Sequence, residues 1–435
     1  MKNFSPKTKL LIAAALTLLY LIIILIIMTP WIMDLTLLVG PILALLVICG
    51  IAVVPGILNA FLIFSLCMDD KEDIRENIPR EEDISIIVPC YNEQNTIYDT
   101  IKSISEQKYK GKIYLYVVDN NSADKTTKII DAAISNYSKD DLLIEHILEE
   151  NKGKYNALNT ALTKITTKYF ITIDADTVLW DSAIQNIVSK MQKEENCGAV
   201  AGAVKVGNEE NNLLTRMQKW DYILSIASVK KMQSMFKSTL VAQGAFSIYD
   251  TDLVKEIGGW KDCVGEDIVL TWNILAKGYY TYYEPKAICF TEVPNKIKDF
   301  IRQRMRWARG MIEAFRDFKP WNFKNKYAIP LTLIDVLIIY MDFSYLFFLI
   351  PGMIAALFGY PIIVGLFSLL IIPFNLISFQ ILYAHEQKIT YRPLGLKVKR
   401  SILGFFLFIL FYQFIVSPSA FIGYVKEWLR RKKSW

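Results

Sequence analysis

Two apolar runs at the start of the chain constrain its fold more than any other feature. Residues 10–27 carry no charged side chain, and residues 35–66 form a second such run shortly after Pro30. A helix needs about 20 apolar residues to cross the hydrocarbon core. Backbone amides there find no water, so a spanning segment must satisfy them internally. Both runs are long enough, and residues 1–68 therefore read as a transmembrane hairpin. A cleaved leader is the alternative, but no small-residue cleavage site follows the first run and another long run begins at once. Lys2, Lys7 and Lys9 precede the first run. Basic flanks favour the cytosolic side, so the hairpin returns the chain to the cytosol near Asp69.

Hydrophobicity returns at residues 329–350, 360–383 and 402–425, which gives five expected spans. An odd number leaves Arg430, Arg431, Lys432 and Lys433 outside, against the positive-inside tendency, although the basic stretch 388–400 sits correctly. A further crossing within 329–383, or a re-entrant or interfacial segment around Pro418, would each remove the conflict. Residues 297–318 mix apolar and aromatic side chains with Arg302, Arg304, Arg306, Arg309 and Arg316, the pattern of a helix lying along the membrane surface. Asp335 and Asp342 fall within an apolar run, as expected for a polar interior among spans.

Composition agrees with a membrane frame around an ordinary globular middle. Hydrophobic residues make up 53% of the chain, and the excess lies before residue 68 and after residue 328. The net charge of +6 is modest and its basic residues bunch beside apolar segments, which points to lipid head groups rather than nucleic acid. Six cysteines have irregular spacing without a C-x-x-C pair, so neither a zinc site nor a disulfide framework is indicated. With only two histidines, a metal site must rely on carboxylates, and oxygen ligands favour magnesium or manganese.

Between residues 84 and 287 short β-rich runs alternate with amphipathic stretches. Strands are expected at 84–88, 113–118 and 169–173, with helices around 96–107 and 124–134. That alternation argues for a parallel α/β sheet, whose ligands bind beyond the carboxyl ends of the strands. Polar residues stand there each time: Pro89-Cys90-Tyr91-Asn92-Glu93, then Asp119-Asn120-Asn121-Ser122, then Asp174-Ala175-Asp176. One aspartate after a strand is an ordinary turn or cap. Three in register can converge on one crevice, where an Asp-x-Asp pair can hold a divalent cation against a diphosphate.

Three further segments carry candidate chemistry. Lys154 follows Gly153 at an expected helix start, where an ammonium and backbone N–H groups can meet phosphate. Gly265-Glu266-Asp267 precedes an apolar helical run. It reads either as acids at a helix N-terminus or as a general base. Gln303-Arg304-Met305-Arg306-Trp307 offers guanidinium groups for diphosphate and a flat ring for a sugar, or is simply part of the interfacial helix.

Taken in order, these segments resemble the processive family 2 glycosyltransferases of the GT-A fold, which include cellulose, chitin, hyaluronan and poly-N-acetylglucosamine synthases. The resemblance implies an α/β, Rossmann-like GT-A domain in the cytosol at residues 69–295, between the hairpin at 1–68, interfacial helices at 296–326 and a C-terminal membrane region at 327–435. It also implies that Pro89, Tyr91, Glu93 and Asp119 recognise uridine, with Lys154 and Asp174 contacting the nucleotide-sugar. Asp176 would hold Mn2+ or Mg2+, and Asp267 would be the catalytic base. Gln303 and Arg306 would bind diphosphate, and Trp307 would stack on the acceptor sugar. Asn120 and Asn121 depart from the commoner Asp-Asp-Gly-Ser motif, which bears on donor identity. The expected partners are a UDP-sugar donor, a growing polysaccharide and the lipid bilayer, with room for a small membrane accessory subunit. The hairpin and compact length look most like a poly-N-acetylglucosamine synthase. Hyaluronan, chitin and cellulose synthases, a non-processive transferase to a lipid acceptor and a non-catalytic scaffold are the alternatives.

Overall fold

The computed structural model describes residues 4–69, 81–365, 371–398 and 401–430. Its centre is a mixed eight-stranded sheet in the order β3-β2-β1-β4-β7-β6-β8-β5. The strands are β1 (Ile84–Cys90), β2 (Ile113–Asp119), β3 (Leu142–Leu148), β4 (Tyr169–Ile173), β5 (Thr177–Leu179), β6 (Cys197–Val206), β7 (Phe246–Asp250) and β8 (Tyr280–Thr291). The expected parallel arrangement holds for one half, where β3, β2, β1 and β4 run together. It fails for the other half: β7 enters antiparallel between β4 and β6, and β5 runs antiparallel to β8.

The parallel half forms because its strands are apolar on both faces, which only helices on both sides can cover. Ile84, Ile86 and Val88 pack with Ile97, Ile101, Ile104 and Ile130 from the helices Ile97–Ser105 and Thr126–Tyr137. Ile87 points the other way and joins Ala157, Leu158 and Ala161 of the helix Lys154–Lys164, as strand alternation requires. The strands thus end on one edge of a closed core, and the residues following them face a shared crevice.

Among the described residues, four helices are long and apolar enough to cross a membrane: Pro6–Val39, Pro41–Cys67, Ala328–Leu357 and Ile402–Trp428. The first continues through Pro30, where the apolar run had suggested its end, and stops at Gly40. Gly40 has φ 83°, a conformation other residues avoid, and Pro41 starts the next helix. Part of the run 360–383 lies outside the described residues, and its described portion holds the helix Ile371–Glu386. The tail residues Arg431, Lys432 and Lys433, with Lys2 and Arg400, also lie outside them. The helix Ile402–Trp428 continues through Pro418.

Polar side chains fasten this frame together. Asp342 is buried and accepts hydrogen bonds from Ser417 (2.7 Å), Tyr424 (2.8 Å) and Gln413 (3.3 Å), so it joins two helices rather than lining an opening. Asp69, at the end of the second helix, meets Lys231 at 3.3 Å and His385 at 3.1 Å. Glu386 pairs at 2.5 Å with Lys205 of β6, both almost wholly buried. The end of the second apolar helix and the helix Ile371–Glu386 are therefore tied to each other, to β6 and to the helix Ser228–Met235. All six cysteines are free.

Candidate active site

Each acid expected at a strand end lies on the same edge of the sheet. Asp119 closes β2, is fully buried, and accepts hydrogen bonds from Ser122 N (2.9 Å) and Thr127 Oγ1 (2.7 Å). Asn120 beside it is a structural link. Its amide donates to the carbonyls of Glu149 (3.1 Å) and Asn151 (2.6 Å), and its oxygen accepts from Gly153 N (2.8 Å). An aspartate could not make the two donations. Asn121 has φ 60°, which asparagine tolerates better than most residues and which explains it where glycine is commoner. Within β1, Pro89 stands opposite Val118 and Cys90 ends the pairing opposite Asp119, after which Tyr91 is exposed. The Glu93 carboxylate accepts from Thr96 Oγ1 at 2.8 Å.

The third acidic pair faces the positive charge. Lys154 Nζ lies 2.5 Å from Asp174 Oδ1 and 3.8 Å from Glu266 Oε1, which joins the start of the helix Lys154–Lys164 to the end of β4 and to the Gly265-Glu266-Asp267 segment. Burial opposes the ammonium, but Asp174 and Glu266 outweigh it and hold the pKa of Lys154 above its ordinary value. Gly244 makes this pairing fit, since a Cβ there would lie 2.8 Å from Lys154 Nζ. Asp176 accepts from Thr177 and Thr291 at 3.2 Å each. Its carboxyl is pushed up to about 6, chiefly by burial and then by the charges of Asp174 and Glu93. Burial, with Asp174 adding to it and the Thr96 bond opposing it, also raises Glu93.

This concentration of negative charge suits a cation. Among the described residues no three histidine, cysteine or acidic side chains form a cage for a metal. An oxygen-only donor set fits Mg2+ or Mn2+, and the two histidines are engaged elsewhere, with Asp131 and Asp69.

Asp267 sits in the first turn of the helix Glu266–Lys277. Its Oδ1 accepts from Ile268 N at 2.8 Å, and Oδ2 has no partner among the described residues, leaving one oxygen to receive a proton. Glu266 next to it is buried and pushed up to about 7, by desolvation first, with Lys154 opposing and Asp267 reinforcing.

The helix Ile297–Asp317 closes the crevice. Gly310 meets Gly265 backbone to backbone: a Cβ on Gly310 would lie 2.7 Å from Gly265 Cα. One turn on, Glu313 Oε2 accepts from Val264 N (2.6 Å) and Gly265 N (3.1 Å). These contacts set Arg306 close enough for its charge to act on both Lys154 and Glu266. Gln303 is half-buried, whereas Arg306 and Trp307 are exposed. Gly310, Glu313 and the lysine-bridging role of Glu266 were not foreseen from sequence. The one available signal was a glycine inside an amphipathic helix, a costly choice unless another backbone comes close.

With a mixed sheet carrying acids at its strand ends and a basic helix drawn over them, the chain belongs to glycosyltransferase family 2: residues 79–310 match the family described as Glycosyltransferase like family 2. Among curated proteins it is similar to the poly-beta-1,6-N-acetyl-D-glucosamine synthase of Staphylococcus epidermidis, 31% identical over 275 residues that cover 62% of this chain and 65% of that protein. The Staphylococcus aureus protein of the same name is 29% identical over 285 residues, 64% of this chain and 67% of the relative. The chain thus spans 65% of the first relative's length, just under two thirds. Among solved structures, the mannosyltransferase PcManGT from Pyrobaculum calidifontis, in complex with GDP-Man and Mn2+, superposes with a TM-score of 0.61. The match covers 89% of this chain and 99% of that one at 21% identity, a likeness of fold.

Proposed function

We propose that this protein is a membrane-embedded, inverting and processive transferase that polymerises UDP-N-acetylglucosamine into a β-linked polysaccharide, poly-N-acetylglucosamine, and exports it. The observation that carries the reading is the meeting of Asp174, Lys154, Glu266 and Asp267 beneath the helix that bears Arg306 and Trp307. The names of the Staphylococcus relatives support the sugar and the polymer. In this reading residues 69–295 form the catalytic domain on the cytosolic side, with residues 1–68, 296–326 and 327–435 as its membrane frame.

The chain's own groups divide the work. Pro89, Tyr91, Glu93 and Asp119 surround the uridine, and Lys154, Gln303 and Arg306 hold the diphosphate by charge and hydrogen bonding. A divalent ion at Asp176, when bound, offsets the charge on the departing diphosphate. Asp267 takes the proton from the acceptor hydroxyl as that oxygen forms its bond to the anomeric carbon. The bond from that carbon to UDP breaks in the same displacement, so an α-linked donor gives a β-linked product. Trp307 supports the acceptor by stacking beneath its terminal ring.

The test is UDP release by the detergent-purified protein with UDP-N-acetylglucosamine, UDP-glucuronate or UDP-glucose, with and without chelator, with product sizing and linkage analysis. Metal-dependent release from UDP-N-acetylglucosamine alone, yielding long polymer and lost in Asp267→Asn, is the expected result. Release that survives Asp267→Asn removes the assigned base, and a single-sugar product removes processivity. Polymer retained on the donor side of sealed vesicles removes export alone.

A further inference from the structure

We propose that Arg304 is a positioning residue for the acceptor platform: a buried, ion-paired guanidinium that fixes the ring of Trp307 and is itself fastened by Asp221 and by Tyr412 of the helix Ile402–Trp428. The proposal rests on the acceptor role given to Trp307 above and adds what holds that ring in place.

Arg304 differs from its neighbours on the same helix. Arg302 and Arg306 are exposed, whereas Arg304 retains only 7% of its exposure. Phe300, Arg304 and Trp307 are spaced four and three residues apart and share one helix face. The guanidinium carbon lies 4.1 Å from the Trp307 ring centroid, 4.9 Å from that of Phe300 and 5.6 Å from that of Tyr412. Within this aromatic box, Nη2 stands 3.2 Å from Asp221 Oδ2, and the hydroxyl of Tyr412 donates to the same oxygen at 2.6 Å. Three elements distant in sequence therefore meet at one charge: the helices Leu213–Asp221, Ile297–Asp317 and Ile402–Trp428.

The energetics favour a positional role over simple stability. Taking both charges out of water costs free energy that a well-packed apolar pair would avoid. What the ion pair adds is a fixed orientation. A guanidinium lying over an indole and paired with a carboxylate gives the ring a fixed surface to rest on, so the ring tips only by giving up the cation–π contact. Trp307 keeps 37% of its exposure. With one face covered by Arg304, the opposite face is left for a sugar, and its ordering is complete before the acceptor arrives. Tyr412 extends this restraint to the helix Ile402–Trp428, so that helix and the acceptor platform are mechanically continuous.

The full-length protein in detergent, supplied with UDP-N-acetylglucosamine and short β-linked N-acetylglucosamine oligosaccharides, tests the proposal through Arg304→Lys and the milder Tyr412→Phe. Lysine keeps the charge without the planar stack, and phenylalanine keeps the packing without the hydrogen bond. Both are expected to raise the acceptor KM, by about tenfold for Arg304→Lys, and to shorten the polymer, while the donor KM stays at its wild-type value. An unchanged acceptor KM and product length in both variants would overturn it, as would a donor KM that rises in step with the acceptor's. A wild type that releases no UDP from UDP-N-acetylglucosamine overturns the donor reading and this proposal with it. An active wild type with unaltered variants overturns this proposal alone.

Discussion

Replacing Gly310 by alanine isolates the contact that seats the helix Ile297–Asp317 on the Gly265-Glu266-Asp267 segment. Helix propensity alone predicts that this change stabilises the protein by up to about 1 kcal/mol. The structure predicts the opposite. The new Cβ would lie 2.7 Å from Gly265 Cα and 3.1 Å from Gly265 N, with backbone rather than a flexible side chain in its way. Comfortable carbon contact begins at about 3.5–4.0 Å, so the helix must retreat by about 1 Å. Glu313 resists that retreat through its bonds to Val264 N and Gly265 N, so strain is shared between helix and loop. Overpacking of this kind costs about 1–3 kcal/mol. Under the roles proposed for Asp267 and Arg306, a misplacement of about 1 Å between them lowers the rate by about a hundredfold. Steady-state UDP release and a thermal melt on the same preparation read both effects. A Gly310→Ala protein that melts higher and turns over at the wild-type rate would refute the reasoning.

Other perturbations separate the remaining contacts. Glu266 keeps its proton to about 7 in the fold, so stability is expected to fall as pH rises from the ordinary glutamate range through that value, where the unfolded chain has already released it. Glu266→Gln should flatten that slope in melts taken across the window, and Lys154→Met should steepen it and abolish donor turnover. Asn120→Asp loses two donations and sets a carboxylate against the carbonyls of Glu149 and Asn151, which should cost about 1–3 kcal/mol in a melt and raise the donor KM. Asp342→Ala strands the hydroxyls of Ser417 and Tyr424 and should cost about 1–3 kcal/mol, read by melting in detergent.

What the sequence revealed depended on how local the controlling physics was. The strands β1, β2 and β4 were legible because they are continuous apolar runs ending in acids. The strand β6, rich in alanine and glycine, and the short β7 offer no such pattern, and β7 takes its antiparallel direction from tertiary pairing. Pro30 misled because a long apolar helix can absorb a proline, whereas the true break needed the positive φ of Gly40. In the site, residue types and their edge of the sheet were readable, but partners were not. Lys154 and Asp174 close 20 residues of chain, and Glu313 reaches back 49 residues to Val264, distances that no periodicity encodes.

The ion pairs at the end of the helix Ile402–Trp428 also impose an order in time. Glu427 binds Arg309 and Arg316 across 118 and 111 residues of chain. A ribosome finishes the eight-stranded sheet and the helix Ile297–Asp317 well before it makes Glu427. During synthesis the sheet and the Lys154–Asp174 pair can therefore form while the helix Ile297–Asp317 still lacks its brace. Under the proposed function, the helix that carries Arg306 and Trp307 is then the last part of the site to be held in place.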